Sequence, residues 1–186
     1  DTVFSSDGVF TEPKGFLKGA VAAIRAAGGI FIADEVQPGF GRLGETMWGF
    51  ARHDVIPDMV SLGKPMGNGY PIAGLVMQPR VIAEFAAKAR YFNTFGGNAT
   101  AAATAMAVLE VVQNEALQAN ALHVGQYFRD QLRSLAADDE GLGDIRGAGL
   151  FIGAEMVSDR AKMTADSART SRIVNGMREK RVLISS

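Results

Sequence analysis

The chain has 186 residues, 47% of them apolar, with 19 Lys and Arg against 20 Asp and Glu for a formal net charge of −1. That balance excludes the broad basic footprint of a protein that binds nucleic acid through its phosphates, and it directs attention to small molecules and other subunits. The absence of Cys removes disulfides, cysteine-zinc sites and thiol catalysis together, and fits a reducing compartment.

Taken in chain order, Phe16, Leu17, Ala20, Val21 and Ile24 share one face at helical spacing, and Gly28-Gly29 closes that helix. Ile30-Phe31-Ile32-Ala33-Asp34 follows as a short buried strand, which sets up an α/β unit with a parallel sheet. Asp58 to Leu62 and Ile72 to Met77 are two further strands, separated by the glycine-rich segment Gly63 to Gly69. Helices are predicted over Val81 to Arg90 and over Ala99 to Val112, the second following the Gly96-Gly97-Asn98 turn. Tyr91 to Leu109 is long and uncharged, but its Gly, Asn, Thr and Ala carry too little apolar bulk to span a membrane. Glu115 to Leu135 is amphipathic, with Leu117, Ala121, Val124, Phe128, Leu132 and Leu135 on one stripe. Ile145 to Val157 has a strand pattern, Ser167 to Lys180 a helical one, and Val182-Leu183-Ile184 begins another strand. The boundary between two units is expected near Asn114, giving 1–113 and 114–186. The first residue is Asp1 and no signal-peptide pattern follows it, so the expectation is a cytoplasmic protein of which this sequence is a part.

Several residues invite chemistry. Asp34 and Glu35 are adjacent carboxylates at a strand end, where neighbours point to opposite faces and cannot form a two-carboxylate pair. Asp34 lies beyond the carboxyl end of its strand, where ligands bind in open α/β sheets, although a turn role explains it as well. Gly39-Phe40-Gly41-Arg42-Leu43-Gly44 matches the dinucleotide fingerprint G-x-G-x-x-G, but it neither follows the strand directly nor opens a good helix. Lys64 among glycines has the wrong order for a P-loop; it is either a solvated lysine or an amine held in a partly desolvated site for Schiff-base chemistry. His53 and His123 lack metal-ligand spacing, so no metal is expected, and no serine sits in a nucleophile elbow.

Ala33-Asp34-Glu35-Val36-Gln37 with Gly39-Phe40-Gly41-Arg42, then Pro57-Asp58-Met59-Val60, Gly63-Lys64, Gly67-Asn68-Gly69-Tyr70-Pro71 and Asn93-Thr94-Phe95-Gly96-Gly97-Asn98, in this order and spacing, resembles the class III pyridoxal-phosphate aminotransferases. Gly143 to Gly153 fits as well, and the phrasing is closest to the alanine-glyoxylate aminotransferase 2-like group, which includes amino-alcohol phosphate lyases. The resemblance implies a fold-type-I α/β transferase: a partial large domain with a mostly parallel sheet, then the start of a small C-terminal α/β domain. It implies pyridoxal 5'-phosphate as cofactor, Lys64 as the Schiff-base lysine that also moves the substrate proton, and Asp34 on the ring nitrogen. Val36 would pack on the ring face, Gln37 near the ring hydroxyl, and Thr94 on the cofactor phosphate of the other subunit in a homodimer with shared sites. The reaction implied is transfer of an amino group from an amine or amino acid to a 2-oxo acid or aldehyde; a phospho-lyase, racemase or aminomutase, or a cofactor-sensing regulator, uses the same scaffold. Ala99 stands where the family usually has Pro. The family's phosphate cup, ring-stacking aromatic and carboxylate-binding arginine lie at positions outside this sequence, so this stretch alone is expected to bind the cofactor poorly.

Overall fold

A computed structural model describes residues 1–186 as two small three-stranded sheets joined by helices. The first unit runs α1 (Leu17–Ala26), β1 (Ile32–Asp34), β2 (Met59–Leu62), β3 (Gly74–Met77) and α2 (Pro79–Lys88). β1 pairs with β2 in parallel and β2 with β3 antiparallel, with Asp34 opposite Ser61 and Ser61 opposite Leu75. A mostly parallel sheet is therefore not what these strands make. Between β2 and β3 the chain makes tight turns and no crossover helix, so β3 returns against β2.

α3 (Ala99–Asn114) is capped by Asn98, whose Oδ1 accepts the Ala101 N–H at 2.8 Å. It buries Ala101 and Ala105, small residues that let it lie close to its neighbours. α4 (Leu117–Asp138) packs on the second sheet, β4 (Leu142–Ala148), β5 (Phe151–Asp159) and β6 (Thr164–Ala165), and α5 (Ser167–Glu179) closes the chain. All pairings in this sheet are antiparallel.

Three sequence expectations change here. Ile145 to Val157 is not one strand: it belongs to a hairpin that turns at Gly149-Leu150, with Ala148 opposite Phe151. On α4 the buried stripe is Ala121, Gly125, Arg129 and Ala136, while Leu117, Val124, Phe128 and Leu135 stay exposed. At Gly125 the hairpin backbone comes too close for any side chain, while Arg129, one turn on, reaches the same backbone with its guanidinium. Val182 to Ile184 form no strand; the Val182 N–H finishes α5 on the Met177 carbonyl at 2.9 Å, and Leu183 is 85% exposed.

The core is thin. Only 30 of 186 residues are buried, and Val3, Leu43 and Ala148 make the one buried apolar cluster, with Phe151 against it. That cluster draws from the N-terminal segment, the glycine-rich loop after β1, and β4, so it ties the second sheet to segments that flank the first. Arg146 adds a polar tie: it donates to the Gly8 carbonyl at 2.7 Å, pairs with Asp144 and Glu155, and lies over the Phe10 ring. Apolar faces are left open elsewhere, on α1, where only Val21 of the expected stripe is buried, and on the Ile32 and Leu75 face of the first sheet.

Candidate active site

Lys64 follows β2 directly, after the extended Gly63, and begins a 3₁₀ turn over Lys64–Gly67. Its φ of +36° is left-handed, a conformation that costs a non-glycine residue about 1–2 kcal/mol. Such strain persists only where the surroundings fix it, and here Pro65 and two tight turns do: the Met66 N–H donates to Gly63 O at 2.9 Å and the Asn68 N–H to Pro65 O at 3.1 Å. The side chain is exposed, so the partly desolvated amine is not what this chain by itself provides.

An open cleft of about 430 Å³ lies over Lys64, and Val36 and Gln37 from the loop after β1 line it. The Val36 methyls sit in van der Waals range of the space beside Gly63, which brings the branched side chain next to the lysine. Gln37 donates to Ser5 Oγ at 2.8 Å and Ser6 Oγ at 3.0 Å, so both amide protons are engaged and its free group is Oε1. Arg42, Asn68, Leu150 and Phe151 complete the walls. No carboxylate lines the cleft, and the Arg42 guanidinium makes neither a salt bridge nor a side-chain hydrogen bond. Sequence reasoning passed over these four. Arg42 is hidden inside a motif that resembles a phosphate loop, and the hairpin tip is 86 residues from Lys64, with only its glycines to mark it.

Asp34 ends β1, exposed, and its Oδ1 accepts the Val36 N–H at 3.0 Å, so the turn role is realised. The same bond holds Val36 and the carboxylate at one strand end, although Asp34 does not line the cleft. Glu35 points the other way, as neighbours on a strand must. It is fully buried and accepts from the Gly49 N–H at 2.7 Å, the Phe50 N–H at 2.8 Å and Thr2 Oγ1 at 3.3 Å. Burial raises its carboxyl above the usual range, and these hydrogen bonds pull it back.

Thr94 is not brought to the cleft. It sits in the fully exposed loop 91–98 with Tyr91, Phe92 and Phe95, which are 74%, 85% and 83% exposed. Asn93 shapes this loop by accepting from the Phe95 and Gly96 N–H groups at 3.1 and 2.9 Å. His53 is not a free base either. It is buried, with Nδ1 accepting the Gly15 N–H at 3.2 Å and Nε2 lying 2.7 Å from the Thr2 carbonyl. The glycine loop 39–44 packs on α4 at Gln118 and Leu122 and on the hairpin tip at Gly149. No cluster of His, Asp and Glu could hold a metal ion, and no helix is long and apolar enough to cross a membrane.

The groups at Lys64 fit pyridoxal phosphate at its aldehyde and ring: an accessible amine, a branched apolar side chain beside it and an amide, with the Asp34 carboxylate outside the cleft walls at the end of the neighbouring parallel strand. Comparison with known proteins points to the same cofactor chemistry. The family model for "Aminotransferase class-III" matches residues 1–186. The "Alanine--glyoxylate aminotransferase 2-like" protein of Drosophila melanogaster is 43% identical over 188 residues, covering all of this chain and 38% of that protein. A phospholyase from Arthrobacter, solved in complex with phosphoethanolamine, superimposes with a TM-score of 0.94 at 40% identity, covering all of this chain and 44% of the other. An amine transaminase from an uncultivated Pseudomonas species, in its PLP-bound form, gives a TM-score of 0.87 at 33% identity, over 99% of this chain and 44% of that one. The chain thus spans less than half the length of each of these relatives.

Proposed function

The chain belongs to the class-III aminotransferases, and from that premise we propose that the protein carrying it is a pyridoxal-phosphate-dependent aminotransferase, moving an amino group from an amine or amino acid to a 2-oxo acid or aldehyde. The observation that carries this reading is the Lys64 amine, held on a left-handed backbone in an open cleft with Val36 and Gln37. Residues 1–113 are read as part of the large cofactor-binding domain and 114–186 as part of the small one.

Pyridoxal phosphate, when bound, supplies an aldehyde that condenses with a primary amine, losing water, and a ring that takes up the electron pair left at the substrate's α carbon. The protein's residues do the rest. Lys64 is the covalent anchor and the base that removes and returns the proton at that carbon. The Asp34 carboxylate holds the proton on the ring nitrogen, Val36 covers one ring face, and Gln37 meets the ring hydroxyl. Thr94 binds the cofactor phosphate in the other subunit of a homodimer. Over both half-reactions the amino group and the carbonyl oxygen change places and nothing is oxidised overall.

Lys64→Ala tests the assignment. The purified full-length protein mixed with pyridoxal phosphate is expected to show the visible absorption of a lysine-bound cofactor, and the variant to lose it. An unchanged band in the variant would refute the role of Lys64.

A second reading is phosphate elimination from an amino-alcohol phosphate, favoured by the likeness to the Arthrobacter phospholyase. Product analysis separates the two: phosphate release from phosphoethanolamine with no oxo acceptor marks the lyase, and amino transfer to pyruvate marks the transaminase.

A further inference from the structure

The cleft over Lys64 is not built by the first unit alone. Leu150 and Phe151, which close one side of it, belong to the tip of the β4–β5 hairpin. The Leu150 N–H donates to the Arg42 carbonyl at 3.0 Å. Gly149, at φ +51°, lies so close to the Arg42-Leu43 backbone that an added Cβ would overlap it. From behind, α4 presses on the same residue: Gly125 leaves no room for a side chain against the Gly149 carbonyl, and one turn later Arg129 Nη1 donates to that carbonyl at 3.2 Å.

Arg129 is only 8% exposed, makes no salt bridge, and gives its other hydrogen bond to Gln126 Oε1 at 2.8 Å. A buried guanidinium whose hydrogen bonds go only to neutral oxygens is costly; burial lowers its pKa, and the charges of Arg133 and Arg52 on one side and of Asp130 and Glu45 on the other act on it without a salt bridge. Its neighbours on the buried face of α4, Ala121, Gly125 and Ala136, are small and uncharged, so an apolar residue would satisfy that face at less cost. What the arginine adds is a fixed Gly149 carbonyl. We infer that Arg129 is a positioning residue: by holding Gly149 it seats the Leu150-Phe151 tip against Arg42 and sets one wall of the Lys64 cleft, coupling α4 of the second unit to the site of the first.

The test is Arg129→Met, which keeps the apolar stem and removes the hydrogen bonds. Hydrogen exchange in the purified protein reads the seat itself: the Leu150 amide is expected to exchange at least about tenfold faster, with the β1 and β2 amides unchanged. KM for the amino donor rises several-fold while kcat changes little, and Arg129→Lys recovers part of both effects. Arg133→Met, one turn on, removes an exposed arginine paired only with Asp130 and changes neither. Unaltered Leu150 exchange, or exchange raised evenly through the chain, overturns the proposal by making Arg129 an ordinary structural residue. Should Arg129→Met fail to fold, Leu150→Ala trims the wall without touching α4; an unchanged KM there equally overturns it. The KM readings rest on the aminotransferase proposal, whereas the exchange reading does not. A protein lacking Lys64-dependent absorption would sink that proposal and leave the Leu150 result to be judged alone.

Discussion

His53 is locked in one tautomer. The Gly15 N–H points at Nδ1, so the proton sits on Nε2 and donates to the Thr2 carbonyl, and a second proton would face a donor. Burial accordingly lowers its pKa from the ordinary 6.5. The unfolded chain takes up a proton as the pH falls through about 6.5 and the folded chain does not, so stability is full above that value and declines below it until the folded pKa is reached. Glu35 has the opposite sign: its raised pKa makes the folded chain hold a proton longer, so its contribution is largest below 4.5 and fades as the pH rises through the folded value. His53→Gln is therefore expected to flatten the loss of stability between about pH 7 and 5, measured as urea midpoints across that range; a slope equal to wild type would contradict the burial argument. At this scale the sequence was legible where chemistry is local. Asp34 and Glu35 parted to opposite faces because strand geometry alone requires it. The roles of His53 and Glu35 were not, since their partners Thr2, Gly15, Gly49 and Phe50 come from distant turns.

Between elements, Asp58 plays a part that its place at the start of a strand does not advertise. Fully buried, it accepts from the Phe31 N–H at 2.7 Å and from Arg25 at 3.2 Å, and pairs with Arg80, so one carboxylate joins α1, the approach to β1, β2 and α2. Removing one member of such a cluster strands the others. Asp58→Ala should cost about 3 kcal/mol. Arg25→Met should cost no more than about 1 kcal/mol, because that arginine is half in water and Asp58 keeps its other donors. Urea unfolding of both variants checks the ratio, and similar losses would mean that the carboxylate is not the hub. The helices and the strands of the first sheet were readable from periodicity and from stops such as Gly28-Gly29, whereas the β4–β5 hairpin and the segment after α5 were not. Of the buried face of α4 only Ala121 was readable: periodicity favoured the large residues around it, while the close approach of Gly149 selected Gly125.

For the whole molecule, a thin core and open apolar faces describe a surface suited to further protein contacts, and the loop carrying Thr94 is the most exposed of them. Thr94 lies on no wall of the Lys64 cleft, which is the arrangement a site shared between two subunits needs: Lys64 from one and Thr94 from the other. Sharing can be tested by complementation. In a dimer that joins a Lys64→Ala subunit to a Thr94→Ala subunit, one site carries both substitutions and the other carries neither. If each site drew both residues from one subunit, no site in the mixture would be intact. Random pairing of equal amounts makes half the dimers mixed, with one wild-type site in each, so activity should recover to about a quarter of wild type, well above the mean of the two parents. Activity equal to that mean would show that Thr94 serves its own subunit or no cofactor at all. The exposed Phe92 and Phe95 would then need another explanation.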